Sequence, residues 1–170
     1  GDWDMHNLGD GQPIAPGSYA LNIEFEGTYS TDALGLYKAE EQDASYLFTQ
    51  FEMSLARRAF PLVDEPDSKI TWTLALTAPQ DLIALSNTPV AEVTTEGDWR
   101  TYRYETTPPM SSYLLALAVG DFDATPIPNM SVPAMIYSPK GTAADVGFSA
   151  RVTPAILKAL EDYFGTVYPY

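Results

Sequence analysis

The chain contains no cysteine and a single histidine among its 170 residues. The first absence excludes disulfides, thiolate metal sites and a cysteine nucleophile. It leaves the compartment open, because exported and cytosolic proteins can both do without cysteine. The second leaves no pair of imidazoles, so a hydrolytic zinc site of the H-E-x-x-H kind has no ligand set in this sequence. Basic residues are scarce too. Nine Lys and Arg stand against 23 Asp and Glu, a formal net charge of −14. A phosphate backbone is bound by clustered Lys and Arg, so no nucleic-acid partner is expected. The longest apolar run, residues 113–119, is far below the ~18 residues of a membrane span, and the opening GDWDMHNLGDG lacks signal-peptide character, so the sequence reads as soluble with no membrane span. No nucleotide-phosphate loop, serine-nucleophile elbow, basic-aromatic stripe, internal repeat or low-complexity segment is present.

What is there suffices for one ordinary domain, since 45% of the residues are hydrophobic and 12% aromatic, enough to build a core. The first 17 residues, rich in Gly, Asp and Pro, read as loop. Residues 19–25 alternate Tyr, Leu, Ile and Phe with Ala, Asn and Glu, the period of a half-buried strand. Residues 45–52 form a second expected strand with Tyr46, Phe48, Gln50 and Glu52 on one face, and residues 70–77 a third with Ile70, Trp72, Leu74 and Leu76 on one side. Shorter strands are expected at 82–85, 91–95, 100–106, 113–119 and 134–137. The pattern indicates a mainly β domain, an antiparallel sheet of the saddle or sandwich kind. The period then changes. Thr153 is a candidate N-cap, Pro154 suits the first helical position, and Ile156, Leu157, Leu160, Tyr163 and Phe164 make an apolar stripe that stops at Gly165. One amphipathic helix thus follows the sheet, either packing back on it or opening a second domain.

Few residues offer chemistry. His6 sits in the Gly/Asp stretch and reads as a solvated surface residue. The acidic pairs Glu40 with Glu41, Asp64 with Glu65 and Asp121 with Asp123 could hold a hard cation, but none has the spacing of a known loop, so surface charge or structural pairing is the plainer reading. The overall acidity either draws cationic substrates such as peptide amino termini or simply keeps the surface solvated. Gln50 and Glu52 differ from these. Two polar residues two apart on a strand point to one face and can converge on one ligand, with Phe48 beside them as an apolar wall. Spacing alone leaves a solvated strand face as the plainer reading.

The sequence around them decides otherwise. TQFE at 49–52, ARRAFPLVDEP at 56–66, ALSNTPV at 84–90, TPPMSSYLLALAVGDF at 107–122 and TPAILKALEDYFGTVYPY at 153–170, with Gly35, Leu36 and Tyr37 as a Gly-aromatic turn, occur in one order over most of the chain. Together they resemble the amino-terminal domain of the gluzincin zinc aminopeptidases, the aminopeptidase N and leukotriene-hydrolase family. The resemblance implies an amino-terminal β-domain over residues 1–148, without its first strands, and a truncated beginning of a thermolysin-like catalytic domain over 149–170. It implies that Gln50 lines the pocket for the substrate's first side chain and that Glu52 accepts the charged α-amino group. The Arg57, Arg58 and Asp64–Glu65–Pro66 neighbourhood would fix the turn and the domain junction, without chemistry. Leu62 stands where many relatives carry cysteine, a departure with no functional consequence. The zinc helix, the Gly-x-Met-Glu-Asn loop and the transition-state tyrosine would lie beyond Tyr170. The expected function is therefore substrate recognition within a zinc-dependent aminopeptidase. Zinc would be the cofactor of the full-length protein, with none in this chain and no catalytic residue in it, and the partners would be a peptide amino terminus and the catalytic domain. The alternatives are a non-catalytic interaction module of the same fold, an epoxide hydrolase of the leukotriene type, or a stand-alone carbohydrate- or protein-binding β-module.

Overall fold

The computed structural model describes residues 15–41 and 43–169, so His6 and all but the end of the opening loop lie outside the described residues. Among them run nine strands: β1 (Gly35–Glu41), β2 (Ala44–Gln50), β3 (Ala75–Pro79), β4 (Ile83–Ser86), β5 (Val90–Glu96), β6 (Trp99–Tyr104), β7 (Leu117–Gly120), β8 (Phe122–Pro126) and β9 (Met135–Pro139). Three short 3-10 turns, Ala56–Arg58, Ser112–Leu114 and Ala143–Val146, punctuate them, and one helix, α1 (Gly147–Phe164), closes the order. The strands form a four-stranded sheet ordered β1-β2-β7-β4, a three-stranded sheet ordered β3-β6-β5 and a β8-β9 pair. Every pairing between these strands is antiparallel. The mainly β, antiparallel architecture with one late helix is the one the sequence pattern indicates.

The core lies in two adjoining clusters. Phe51, Ala56, Met110 and Leu115 form one, flanked by Phe60, Leu62, Trp72 and Tyr113. Ala84, Tyr102 and Tyr104 form the other, with Leu74, Leu76 and Val119 against them. A third, aromatic group joins the sheets: Tyr46 packs on Phe122 at 5.2 Å between ring centroids and on Phe48 at 6.4 Å, and Phe48 lies 6.0 Å from Tyr37. Burying side chains of this size stabilises by roughly 1.5–3 kcal/mol each relative to exposure. β5 is exposed throughout and is an outer strand of its sheet. Glu92 and Glu96 on it discourage pairing with another chain.

Several expected elements differ from those observed. Residues 19–25 form no strand, and Tyr19, Leu21, Ile23 and Phe25 are all exposed. Alternation supplies the side chains of a half-buried strand, but a strand also needs a ladder for its amides, and no strand among the described residues pairs with this segment. The strand expected at 45–52 ends at Gln50, so Glu52 lies in the turn beyond it. Residues 70–74 run beside 104–110 through scattered bonds such as Tyr104 N to Leu74 O and Thr107 N to Trp72 O. The regular ladder begins only at Ala75, because Pro108 and Pro109 across from this stretch have no amide to donate. Residues 113–116 turn rather than extend. Side chains satisfy their backbone: Asn87 donates to Leu114 O and accepts from Ala116 N, while Thr49 Oγ1 accepts from Leu117 N. The expected Gly-aromatic turn at 35–37 is instead the start of β1, a strand that the polar sequence GLYKAEE conceals, as FDATP conceals β8. Finally, α1 begins at Gly147, with Pro154 inside it. Thr153 does not cap; its hydroxyl donates back to Ser149 O at 2.8 Å. Pro154 forfeits one intrahelical bond, which a helix of 18 residues can carry. The helix does stop at Gly165, left-handed at φ 67 with its amide on Glu161 O.

Candidate functional site

The site builds outward from the β1–β2 hairpin. Gly35 stands directly opposite Gln50, and Tyr37 opposite Phe48. Directly opposed residues share a face, so Tyr46, Phe48 and Gln50 form one row of β2 beside Tyr37 and Gly35 of β1. The row runs from buried Tyr46 through half-buried Phe48 to exposed Gln50. An apolar floor therefore leads up to a polar amide at the strand's end. Gly35 has one reason to be glycine: its φ of +74 lies in the left-handed region.

Beyond Gln50 the chain dives and returns. Phe51 is 1% exposed and Ala56 fully buried, and between these two anchors residues 52–55 form a turn closed by Leu55 N on Phe51 O at 2.9 Å. Glu52 opens that turn and is exposed. The peptide bond joining Glu52 to Met53 is cis. Neither Gln50 nor Glu52 uses its side chain in a hydrogen bond or ion pair with any described residue. Thus the structure places the two residues on either side of a buried phenylalanine, but the strand face that sequence alone would have them share ends before Glu52.

In each acidic pair singled out from the sequence at least one member already has a partner. Glu40 pairs with Lys38 at 2.5 Å and accepts from Ser45, contacts that hold its carboxyl below the ordinary range, Lys38 foremost. Asp121 and Asp123 flank Lys140 at 3.5 and 3.8 Å. No group of three or more His, Cys, Asp or Glu among the described residues is placed to hold a metal ion. No described helix is long and apolar enough to cross a membrane.

Asp64 is different in kind, and the acidic pair and turn block that marked it in the sequence did not reveal its partners. It is 3% exposed and sits against the 3-10 turn of Ala56–Arg58, which follows the turn that carries Glu52. Its Oδ2 accepts from Arg57 N at 2.9 Å and Arg57 Nε at 3.3 Å, and its Oδ1 accepts a short bond from Ser112 Oγ. Arg57 Nη2 also donates to Asp64 O at 2.5 Å and to Glu65 Oε1 at 3.4 Å. Burial alone would raise the Asp64 pKa; the bonds from Ser112 and Arg57 outweigh it and hold the carboxyl below its usual range. The partner Ser112 is 48 residues away in sequence. The DEP block hinted at a fixed turn, but no local spacing could reveal that contact.

Comparison with known proteins gives this geometry a context. The profile of the peptidase M1 N-terminal domain matches residues 6–114. The chain belongs to the peptidase M1 N-terminal domain family. Among its curated relatives are aminopeptidase M1-B of Oryza sativa subsp. japonica, 35% identical over 95% of this chain and 19% of the relative, and aminopeptidase N of Acetobacter pasteurianus, 35% identical over 92% of the chain and 46% of the relative. Aminopeptidase N of Bos taurus is 37% identical over 89% of the chain and 17% of its own length. The chain thus spans less than half of these M1 relatives.

Proposed function

We propose that this M1 domain is the substrate-recognition part of a longer aminopeptidase, in which Glu52 accepts the α-ammonium of a peptide and Gln50 lines the pocket for its first side chain. The observation that carries the reading is the state of Glu52: an exposed carboxylate, engaged by no described residue, held at the mouth of a turn whose two ends are buried. The relatives' names supply the reaction class, removal of residues from peptide amino termini. An exopeptidase must tell a chain end from a chain middle, and the ammonium is the feature only the end possesses. Gln50 adds an amide that both donates and accepts, next to an aromatic floor suited to an apolar side chain. Zinc in the longer protein would activate the attacking water; among the described residues no donor set fits it, so the role assigned to this chain is binding and orientation.

Residues 1–148 would form the recognition domain, and residues 149–170, most of α1 included, the beginning of a catalytic domain. Supporting this, Ile156, Leu160 and Tyr163 on α1 are 55%, 48% and 82% exposed. A groove of about 440 Å³ lined by Met130, Pro133, Met135, Ile156, Leu160 and Tyr168 runs along the helix. Contiguous apolar surface of this kind marks an interface.

The test is Glu52→Gln in the full-length protein, assayed with free-amine and amine-blocked substrates. Two unit charges ~4 Å apart attract by ~1 kcal/mol in bulk water but ~4 kcal/mol at an effective dielectric near 20. Losing ~2–4 kcal/mol lowers kcat/KM roughly 30- to 1,000-fold for free-amine substrates. An effect that large requires Glu52 to be shielded from water in the complex. A change within about twofold would overturn the assignment.

A further inference from the structure

Among the described residues no hydrogen bond or ion pair fixes the Glu52 side chain. Its position depends on the backbone of residues 52–58, and that backbone is held in three ways. Phe51 and Ala56 are packed into the core with Met110 and Leu115. On the strand side, Thr49 Oγ1 accepts from Leu117 N at 2.9 Å and lies 3.5 Å from Leu115 O, to which it donates. On the far side, in the 3-10 turn that follows Ala56, the only side chain bonded to a backbone amide of residues 52–58 among the described residues is Asp64, through Arg57 N. Asp64 is tied in turn to Ser112, which immediately follows Ser111, whose hydroxyl donates to Pro66 O. The 3-10 turn of Ser112–Leu114 then leads to buried Leu115, back to the Thr49 contact. The bonds close a ring around the Gln50–Glu52 segment, and Asp64 is its one buried charge.

A buried carboxylate with its partner is seldom worth more in stability than an apolar pair of the same shape, because desolvation offsets the attraction. What it does provide is a unique arrangement. Two oxygens facing three donors from two separate segments admit one register of the turn, whereas an apolar contact would tolerate sliding. That requirement is natural for a segment that must present a carboxylate to a ligand, where misplacement by ~1 Å can cost on the order of 100-fold.

We propose that Asp64, with Ser112 and Arg57, is a positioning residue that sets where Glu52 stands. The inference rests on the assignment of Glu52 as the acceptor of the substrate ammonium. It assigns a functional consequence to a network that otherwise reads as turn architecture.

The experiment is a double-mutant cycle in the full-length protein, with Asp64→Ala, Glu52→Gln and both together, and kcat and KM measured on a free-amine aminoacyl substrate. Asp64→Ala is expected to lower kcat/KM about tenfold, chiefly through KM, and by less than about twofold when Glu52 is already Gln. Asp64→Asn, which keeps an acceptor for Arg57 N and can donate to Ser112, is expected to recover activity to within about threefold of the parent. Should Asp64→Ala not fold, Ser112→Ala carries the same cycle with a smaller loss of the same sign. Equal fold-losses in both Glu52 backgrounds would show a general structural role and overturn the proposal. Amide exchange at Leu55 and Arg57 separates the two readings. It is expected to accelerate in Asp64→Ala whatever Glu52 does. Unchanged exchange overturns the role of Asp64 alone, whereas accelerated exchange with an inert Glu52→Gln overturns the ammonium assignment and leaves Asp64 merely a turn residue.

Discussion

Replacing Gly120 by alanine should cost more than any other single methyl added to a described glycine. An added Cβ there would meet Tyr46 Cδ1 at 2.2 Å and Cε1 at 2.9 Å, with Phe122 Cζ at 3.2 Å. Real Cβ atoms do not approach ring carbons so closely, and the φ of Gly120 is not left-handed, so the penalty is collision and not backbone strain. Tyr46 has nowhere to retreat. It is 2% exposed, its hydroxyl donates to Asp121 O at 3.0 Å and accepts from Lys140 N at 3.2 Å, and its ring lies against Phe48 and Phe122. Overpacking of this kind costs about 1–3 kcal/mol. Moving the ring weakens two hydrogen bonds worth ~1 kcal/mol each. The sum is about 3–5 kcal/mol, or a fall in Tm of roughly 6–20 °C for a chain of this size. Chemical and thermal unfolding measure it, with Gly147→Ala as control, since a Cβ at Gly147 meets nothing within 4 Å. In a Tyr46→Ala background Gly120→Ala should cost far less. A loss below about 0.5 kcal/mol in the parent, or the same loss with and without the ring, would refute the argument.

Two further outcomes follow from single contacts. Because the Asp64 pKa is depressed in the folded chain, its ionisation stabilises the fold above the ordinary value of 3.8, and that contribution is lost as pH falls through and below this value. The urea midpoint of the parent should therefore exceed that of Asp64→Asn by a constant amount at neutral pH, and the gap should close on acidification; a gap that widens in acid would contradict the sign. On α1, Ile156→Glu with Leu160→Glu should reduce concentration-dependent self-association of the 170-residue chain, because both side chains are exposed now. Sedimentation velocity that shows equal association before and after would clear this face of the role.

How far the sequence reached depends on what each element needs. Alternation at 100–106 located β6, and alternation at 70–77 picked out the more buried face of a segment whose regular ladder starts only at Ala75. The same alternation at 19–25 misled, because a ladder partner is a property of the whole fold and not of seven residues. β1 escaped notice for the converse reason. Lys38, Glu40 and Glu41 make it polar, yet its full ladder to β2, from Gly35 opposite Gln50 to Glu41 opposite Ala44, holds it extended. Thr153 and Pro154 had the composition of a helix start, but the preceding turn at Ala143–Val146 already directs the chain into α1, and tertiary context overrode the local signal. Of the candidate site, Gln50 and Glu52 were legible as residues and their relation was not: a two-residue spacing implied a shared face, whereas Phe51 buries itself between them and Glu52 belongs to the next turn. Asp64 was legible as part of a DEP block, but its bond to Ser112 crosses 48 positions and has no local trace.

The charge of the chain sharpens what remains for Glu52 to do on the proposed reading. With a formal net charge of −14 the surface attracts any cation, lysine side chains as readily as peptide amino termini. That field is screened within ~8–10 Å at physiological salt, so it can speed encounter without selecting among cations. Selection must come from the fixed geometry at short range. An α-ammonium is one bond from the Cα that also bears the first side chain, so a carboxylate at Glu52 and an amide at Gln50 can engage both features only if they stand a set distance apart. A lysine ammonium at the end of a four-carbon stem can satisfy the carboxylate but brings no side chain to the Gln50 pocket. Rigid spacing between residues 50 and 52, secured by Phe51 in the core and by Asp64 against the 3-10 turn that follows, is therefore the property on which discrimination depends. The acidity of the rest of the surface can vary without altering it.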